Sequence, residues 1–395
     1  MNNCVSITNY AINHIQFYRT LYSPHTEIDS KIFKYLPTLT KTDVREAGDR
    51  MLNNITKSKH IQIFRTSGTT GIPLNIYWNR NEYIKSNFYS WHLRKKWYGI
   101  MPSDSFCTFH SSVESDSHIQ MESIISLHNG RVISLGRYLY NDDIMQQYVD
   151  ALNDFKPVWI LGYSSCIYRI GCFLERTGQK IPSLRYIELN GEYTDDNLRE
   201  DIKNKFGISV GELYGSVEFN GIAMRCPEGN MHVLNNNVYI EMDNSDELLI
   251  TGLVNTYMPL IRYRIGDCGS FDSHKCSCGN ESPIIHLTRG RNNKIINLKN
   301  GDALDVAFFN SLIDEIQIHD SSILQFFIEI HDNKIVLVVL VKKEREKQLH
   351  MKKRYLLSKF KYLNCSTIDV DLRIESDARQ FYNGDSSKFQ FIQYK

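Results

Sequence analysis

Thr66-Ser67-Gly68-Thr69-Thr70-Gly71-Ile72-Pro73 gathers small hydroxyl residues and two glycines into one short run. Glycine lets a backbone approach a ligand closely and take positive φ, so successive amides can point at one anion while hydroxyls add further donors. The run reads as a phosphate-binding loop. Ile61-Gln62-Ile63-Phe64 alternates like a strand before it, and Leu74-Asn75-Ile76-Tyr77-Trp78 does so after it, which predicts a tight connection between two strands. A Walker loop leads into a helix and needs Gly-Lys-Ser/Thr; Ile72 follows the second glycine here, so the P-loop NTPase reading fails. Taken alone, the segment has a competing reading as a solvated Ser/Thr/Gly linker.

Further patterns follow along the chain: Gly162-Tyr163-Ser164-Ser165, Asn190-Gly191-Glu192, Tyr214-Gly215-Ser216-Val217-Glu218, Tyr263-Arg264-Ile265-Gly266-Asp267 and Gly290-Arg291. Each is weak by itself. In this order, together with Thr-Ser-Gly-Thr-Thr-Gly-x-Pro, they resemble the adenylate-forming (acyl/aryl-CoA synthetase) superfamily and, within it, its phenylacetate-coenzyme A ligase branch. The resemblance covers the stretch from Phe17 to Gly301.

Composition sets bounds on that reading. The 395 residues suit one large domain plus a smaller one. Apolar residues make up 42% of the chain, enough for a sizeable core, and the formal net charge of +1 suggests neither a nucleic-acid partner nor a polyanionic surface. Met1-Asn2-Asn3-Cys4-Val5 has no basic stretch followed by an apolar core, and no run approaches about 18 uninterrupted apolar residues, so a soluble cytoplasmic protein with no membrane segment is expected. Nine cysteines, an odd number without a secretion signal, argue for thiols or a metal rather than a disulfide framework.

The first sixty residues read as a helical cap interrupted by Pro37, with Thr40-Lys41-Thr42-Asp43 offering a helix start. In the middle, Val158-Trp159-Ile160-Leu161 and Leu184-Arg185-Tyr186-Ile187-Glu188 read as strands. Residues from Cys166 to Glu175 and from Asp195 to Phe206 read as helices stopped by Gly178 and Gly207, with Thr194 as a cap for the second. Such alternation predicts an α/β layered core. From Val238 to Arg264 the pattern is mostly extended, a β-rich subdomain. Leu324 to Ile330 and Ile335 to Val341 read as a hairpin, followed by a charged helix from Glu344 to Phe360 and a strand from Thr367 to Ile374. The expected fold is therefore α/β: a large layered N-terminal domain over 1–290 with a β-rich subdomain, and a small α+β C-terminal domain over 291–395, which the resemblance makes mobile.

The resemblance also assigns roles. Adenylation joins a carboxylate to the α-phosphate of ATP and expels pyrophosphate, so a site must neutralise phosphate charge, hold a metal and align the acid. Thr66, Ser67, Thr69 and Thr70, with the backbones of Gly68 and Gly71, are implied to hold the β- and γ-phosphates. Tyr214 is implied at the adenine ring, with Gly215 and Ser216 beside it, and Glu218 on Mg²⁺, which prefers oxygen ligands. Asp267 matches the aspartate that binds the ribose hydroxyls, Gly191 and Glu192 align with a segment lining the adenine pocket, and Arg291 falls near the ribose or phosphates. Asn293 occupies the hinge position, where Asp or Lys is more usual. Lys388, in Gly384-Asp385-Ser386-Ser387-Lys388-Phe389, is the candidate catalytic lysine, although its spacing is looser than the family's Gly-Lys pair and a solvated terminal lysine is the alternative. His110, Gly162 and Tyr163 are candidate neighbours of the acyl substrate; a structural histidine and a core tyrosine are the plain alternatives.

Cys226-x5-His232 and Cys276-Ser277-Cys278 form a second constellation. Three thiols and an imidazole are the ligand set of a closed structural zinc site, and buried free thiols are the competing reading. Cys268 and His274 are alternative ligands.

The expected activity is ATP- and Mg²⁺-dependent activation of a small, aromatic or otherwise planar, carboxylic acid, followed by acyl transfer to a thiol. CoA is the default acceptor; a carrier-protein thiol or a small amine is chemically equivalent. A nucleotide-binding interaction protein without catalysis is the reading from a different class. A homodimer is one assembly the sequence permits.

Overall fold

The hydroxyl-rich run is flanked as its neighbours predict. Strands Ile61–Arg65 and Asn75–Asn79 pair antiparallel, with Arg65 opposite Asn75. In the second strand Ile76 and Trp78 are buried while their neighbours are not, the period-two pattern of a strand with one face on a core. Phe64 stacks on Tyr83 at 4.7 Å between ring centroids.

A computed structural model describes residues 2–53, 60–66, 74–110, 113–115, 118–120, 124–127, 130–136, 142–191, 194, 196–244, 246–289, 295–297, 303–305, 323–331, 334–341, 346–347, 349–351, 353, 357, 369–376 and 392–394. The chain divides into two compact units. One comprises Met1–Asp104, Val158–Ser165 and Leu184–Asn292; the other comprises Ser105–Pro157, Cys166–Ser183 and Asn293–Lys395.

In the first unit the strands lie in the spatial order Val238–Met242, Glu247–Gly252, Tyr263–Asp272, Ile284–Arg289, Met231–Val233, Asn220–Arg225, Ser209–Ser216, Tyr186–Asn190 and Trp159–Gly162. The last three are parallel and the others pair antiparallel. This is the α/β layering read from the alternating segments, continued by the β-rich subdomain. Helix Asp196–Phe206 ends directly before Gly207; helix Ser164–Thr177, most of which belongs to the second unit, ends directly before Gly178. The Thr194 hydroxyl, however, is buried without a hydrogen-bond partner among the described residues, so it does not act as the cap the sequence suggests. The strand read from Leu184 starts instead at Tyr186, set by its parallel register with Trp159, and runs on to Asn190.

The N-terminal segment caps this sheet. Thr40 and Asp43 form a reciprocal capping box at the start of helix Lys41–Ala47. Tyr18 is fully buried and donates to the Pro259 carbonyl at 2.6 Å. Residues of this cap, of the hairpin around the run, and of the strands carrying Tyr214 and Asp267 share one hydrophobic cluster that includes Phe33, Leu39, Ile76, Trp78, Phe219, Ile250 and Tyr263.

In the second unit, strands Phe106–His110 and Val132–Gly136 are parallel and Ile124–Leu127 pairs antiparallel with the latter. Helix Asp142–Phe155 is tied to Val132–Gly136 through the Tyr148 hydroxyl, which donates to the Gly136 carbonyl. Toward the C-terminus, Ile323–His331 and Lys334–Val341 form the predicted hairpin. Asp369–Glu375 adds to it in parallel on one side, and Ile392–Tyr394, a strand the sequence reading did not anticipate, adds on the other. The described residues between 346 and 357 are helical. Among the described residues no helix is long and apolar enough to cross a membrane.

Candidate functional site

The site is built around the turn that ends strand Ser209–Ser216. A bulge falls between Tyr214 and Gly215, where the ladder with Asn220–Arg225 shifts register. At Gly215 a Cβ atom would lie 2.4 Å from the Asn220 carbonyl oxygen, so the tight approach of the two strands requires glycine there. The bulge aims Tyr214 at strand Tyr263–Asp272, and its hydroxyl donates to Asp267 Oδ2 at 2.6 Å. Two residues that the resemblance assigns to adenine and to ribose are thus in direct contact.

Glu218 sits at the tip of the same turn, 92% hidden from solvent, with the Tyr263 hydroxyl 3.4 Å from Oε1. A buried carboxylate at a turn tip, beside the Tyr263 hydroxyl, is an oxygen ligand suited to Mg²⁺. The Ser216 hydroxyl is buried without a hydrogen-bond partner among the described residues. The hairpin around the hydroxyl-rich run reaches this turn: Trp78 Nε1 makes a long hydrogen bond of 3.4 Å to the Val217 carbonyl. Thr66 closes the base of the run. Its backbone N–H donates to the Leu74 carbonyl and its hydroxyl accepts from the Leu74 N–H, both at 2.9 Å. Ser67, Gly68, Thr69, Thr70 and Gly71 lie outside the described residues, as do Glu192, Arg291, Asn293 and Lys388.

Gly191 follows strand Tyr186–Asn190 with φ of 81°, and a Cβ there would meet Tyr163 Cε1 at 2.9 Å. The two segments assigned to the adenine and acyl pockets, around Gly162-Tyr163 and Asn190-Gly191, therefore lie side by side at the ends of adjacent parallel strands. His110 is the last residue of strand Phe106–His110, and its side chain lies outside the described residues.

Sequence reasoning missed the support beneath these strands. Glu188 is fully buried and receives both Arg94 Nε at 2.7 Å and Nη2 at 2.6 Å, while the Tyr186 hydroxyl lies 3.2 Å away. Arg94 also lies 4.6 Å from the Trp91 ring. A bidentate pair with all charges satisfied is how an ionised group tolerates such burial. No spacing rule links positions 94 and 188, so the sequence carries no local signal for the pair.

Cys226, His232, Cys276 and Cys278 converge, their ligand atoms all within 4.8 Å of one another. Cys226 and Cys276 sulfurs are 3.7 Å apart and Cys278 Sγ is 3.2 Å from His232 Nε2. A tetrahedral ion with Zn–S bonds of about 2.3 Å separates its sulfurs by about 3.8 Å, so this donor set fits zinc in both chemistry and spacing. His232 is fully buried, and its Nδ1 faces the Ser282 carbonyl at 3.1 Å, leaving Nε2 toward the thiols. Burial pushes the Cys226 thiol up to about 12. Burial acts on Cys276 in the same sense, but hydrogen bonds from the Cys278 N–H and Asn230 pull that thiol down to about 6. The alternative ligands are engaged elsewhere: His274 pairs with Asp272 at 2.8 Å, and Cys268 lies in the ladder opposite Glu247.

No family model matches the chain. It is 23% identical over 383 residues to Protein CapK of Staphylococcus aureus, covering 90% of this chain and 80% of that protein. It is 22% identical over 300 residues to the phenylacetate-coenzyme A ligase of Thermus thermophilus, covering 68% of this chain and 64% of that one. Its structure resembles that of 2-hydroxyisobutyryl-CoA ligase in the postadenylation state with an acyl-adenylate, with a TM-score of 0.64 at 15% identity over 100% of this chain and 88% of that one. The chain has the fold of the adenylate-forming ligases, and its sequence resembles their phenylacetate-coenzyme A ligase branch.

Proposed function

We propose that this protein uses ATP to activate a small carboxylic acid as its acyl-adenylate and then transfers the acyl group to a thiol, CoA being the leading acceptor. The observation that carries this reading is the hydrogen bond between Tyr214 and Asp267, made beside Glu218 and within one core with the hairpin that carries Thr66. Two motifs distant in sequence, Tyr214 to Glu218 and Tyr263 to Asp267, meet in this contact and together supply an aromatic face, a ribose acceptor and a metal ligand.

In the first half-reaction a carboxylate oxygen of the acid attacks the α-phosphorus, a P–O bond forms, and the α–β P–O bond breaks to release pyrophosphate. In the second, the thiol sulfur attacks the acyl carbon, the bond to AMP oxygen breaks, and the thiol proton is lost. The run 67–71, through N–H and O–H donors, and Thr66, through its hydroxyl, hold the β- and γ-phosphates. Tyr214, Gly191 and Glu192 border the adenine, Asp267 accepts from the ribose, and Arg291 lies near ribose or phosphate. Mg²⁺ held by Glu218 would neutralise phosphate charge. Lys388 donates to the carboxylate oxygen and α-phosphate as charge shifts between them. His110, Gly162 and Tyr163 shape the acid pocket, and a planar aromatic acid suits a pocket bordered by the Tyr163 ring. The division at 290/291 provides the rotation between half-reactions, the Cys-His cluster holds structural zinc, and the protein works in the cytoplasm. A carrier-protein thiol or an amine would enter the same second step.

The test is pyrophosphate exchange into ATP across a panel of carboxylic acids, followed by CoA and amines with the best acid. Acid-dependent exchange is expected. ATP binding without exchange for any acid would favour a nucleotide-binding interaction protein instead.

A further inference from the structure

Asn237 is not among the positions assigned to the nucleotide, yet it grips the turn that carries Glu218. It is almost fully buried, and its side-chain Nδ2 donates to the Phe219 carbonyl at 2.9 Å and to the Gly221 carbonyl at 2.6 Å. Those carbonyls lie one and three residues after Glu218. Between them stands Asn220, in the left-handed region with φ of 59°, whose own amide donates to the Ser86 hydroxyl at 2.5 Å. The Asn237 backbone is itself fixed: its N–H donates to the Leu234 carbonyl at 2.7 Å and its carbonyl accepts from the Leu253 N–H at 2.9 Å. One primary amide, rigidly mounted on a neighbouring loop, thus clamps both sides of an energetically unfavourable backbone conformation. A short turn that must hold one carboxylate steady for a cation needs such a clamp, because small changes in ligand position weaken coordination to Mg²⁺, which demands near-ideal geometry.

We infer that Asn237 is a positioning residue for metal coordination by Glu218. The inference rests on the proposed adenylation and deepens it. The Asn237 amide contributes no ligand atom; it fixes the main chain from which Glu218 projects. Removing it leaves two buried carbonyls without their donor and frees the turn, so the carboxylate samples orientations that do not meet the ion.

The experiment compares wild type, Asn237→Ala and Asn237→Ser in acid-dependent pyrophosphate exchange titrated with MgCl₂, together with thermal melting and calorimetric ATP binding in EDTA. The expected result is a rise of about tenfold in half-saturating Mg²⁺ for Asn237→Ala, the scale of one lost buried hydrogen bond, with a smaller rise for Asn237→Ser, which keeps a donor. Melting stays cooperative and ATP binding in EDTA changes little. Unchanged Mg²⁺ dependence in both variants would overturn the inference. So would loss of cooperative melting or of EDTA-insensitive ATP binding in both, since Asn237 would then act on folding alone. Absence of acid-dependent exchange in wild type is a different outcome, which rejects adenylation itself and with it any role for Asn237 in it.

Discussion

Tyr214 donates its hydroxyl hydrogen to Asp267 Oδ2 across 2.6 Å, joining two residues 53 positions apart on different strands of one sheet. The contact occupies one carboxylate oxygen and orients the other. It also predicts unequal consequences for the two side chains. Asp267→Ala should raise the KM for ATP about tenfold to a hundredfold, the loss expected for charge-assisted hydrogen bonds to ribose. Tyr214→Phe keeps the ring and loses only the orienting bond, so its KM should rise by less than about tenfold. Exchange kinetics at varied ATP measure both; an effect of Tyr214→Phe equal to that of Asp267→Ala would contradict the assignment.

The Cys-His cluster lies beyond the strands that lead from the Glu218 turn and from Asp267. Strand Asn220–Arg225 leads from the Glu218 turn to Cys226, and strand Tyr263–Asp272 leads from Asp267 toward Cys276 and Cys278. The purified protein is expected to carry stoichiometric zinc by elemental analysis. Its removal by a chelator, or Cys276→Ser, should lower the melting temperature by more than ~5 °C and weaken ATP binding alongside. A metal-free protein with an unchanged melt after chelation would leave the four residues as buried thiols and a histidine.

Beneath strand Tyr186–Asn190, the Arg94–Glu188 pair holds helix Phe88–Tyr98 to the sheet. Glu188→Ala leaves the Arg94 guanidinium buried without its carboxylate and should cost about 3–5 kcal/mol in urea unfolding. Replacing both partners with apolar residues of similar volume should cost clearly less. Equal losses in the single and double variants would mean that volume, not charge pairing, governs this position.

Lys388→Ala should lower the rate of adenylate formation by about two to three orders of magnitude, on the order of 3 kcal/mol of barrier, while ATP binding persists. Single-turnover formation of acyl-adenylate separates the two effects. Unchanged exchange would remove Lys388 from the mechanism.

Much of this was legible before the fold. The strand, hydroxyl-rich run, strand arrangement around Thr66 follows from period-two alternation on both sides, and Thr40 with Asp43 announced its helix through local chemistry. The C-terminal hairpin was readable because its two apolar runs flank a short polar turn. What escaped the sequence depends on three-dimensional neighbours. Asn237 resembles any turn asparagine in a run of three, and only the fold aims its amide at the carbonyls beyond Glu218. Arg94 and Glu188 look like ordinary surface charges until helix and strand bury them together. Strand Ile392–Tyr394 is too short to show a period, and it forms because the edge of Ile323–His331 offers it a partner. Thr194 failed as a cap for the same reason in reverse: residue type alone does not fix where a hydroxyl points.

Adenylation requires that the acid's own oxygen attack the α-phosphorus of ATP. Supplying a turned-over acid labelled with ¹⁸O in its carboxylate, with ATP and CoA, and analysing the released AMP by mass spectrometry tests it directly. AMP carrying one ¹⁸O from the acid is the expected result, because the bridging oxygen of the adenylate leaves with AMP. Unlabelled AMP, or ADP and phosphate in place of AMP and pyrophosphate, would contradict it.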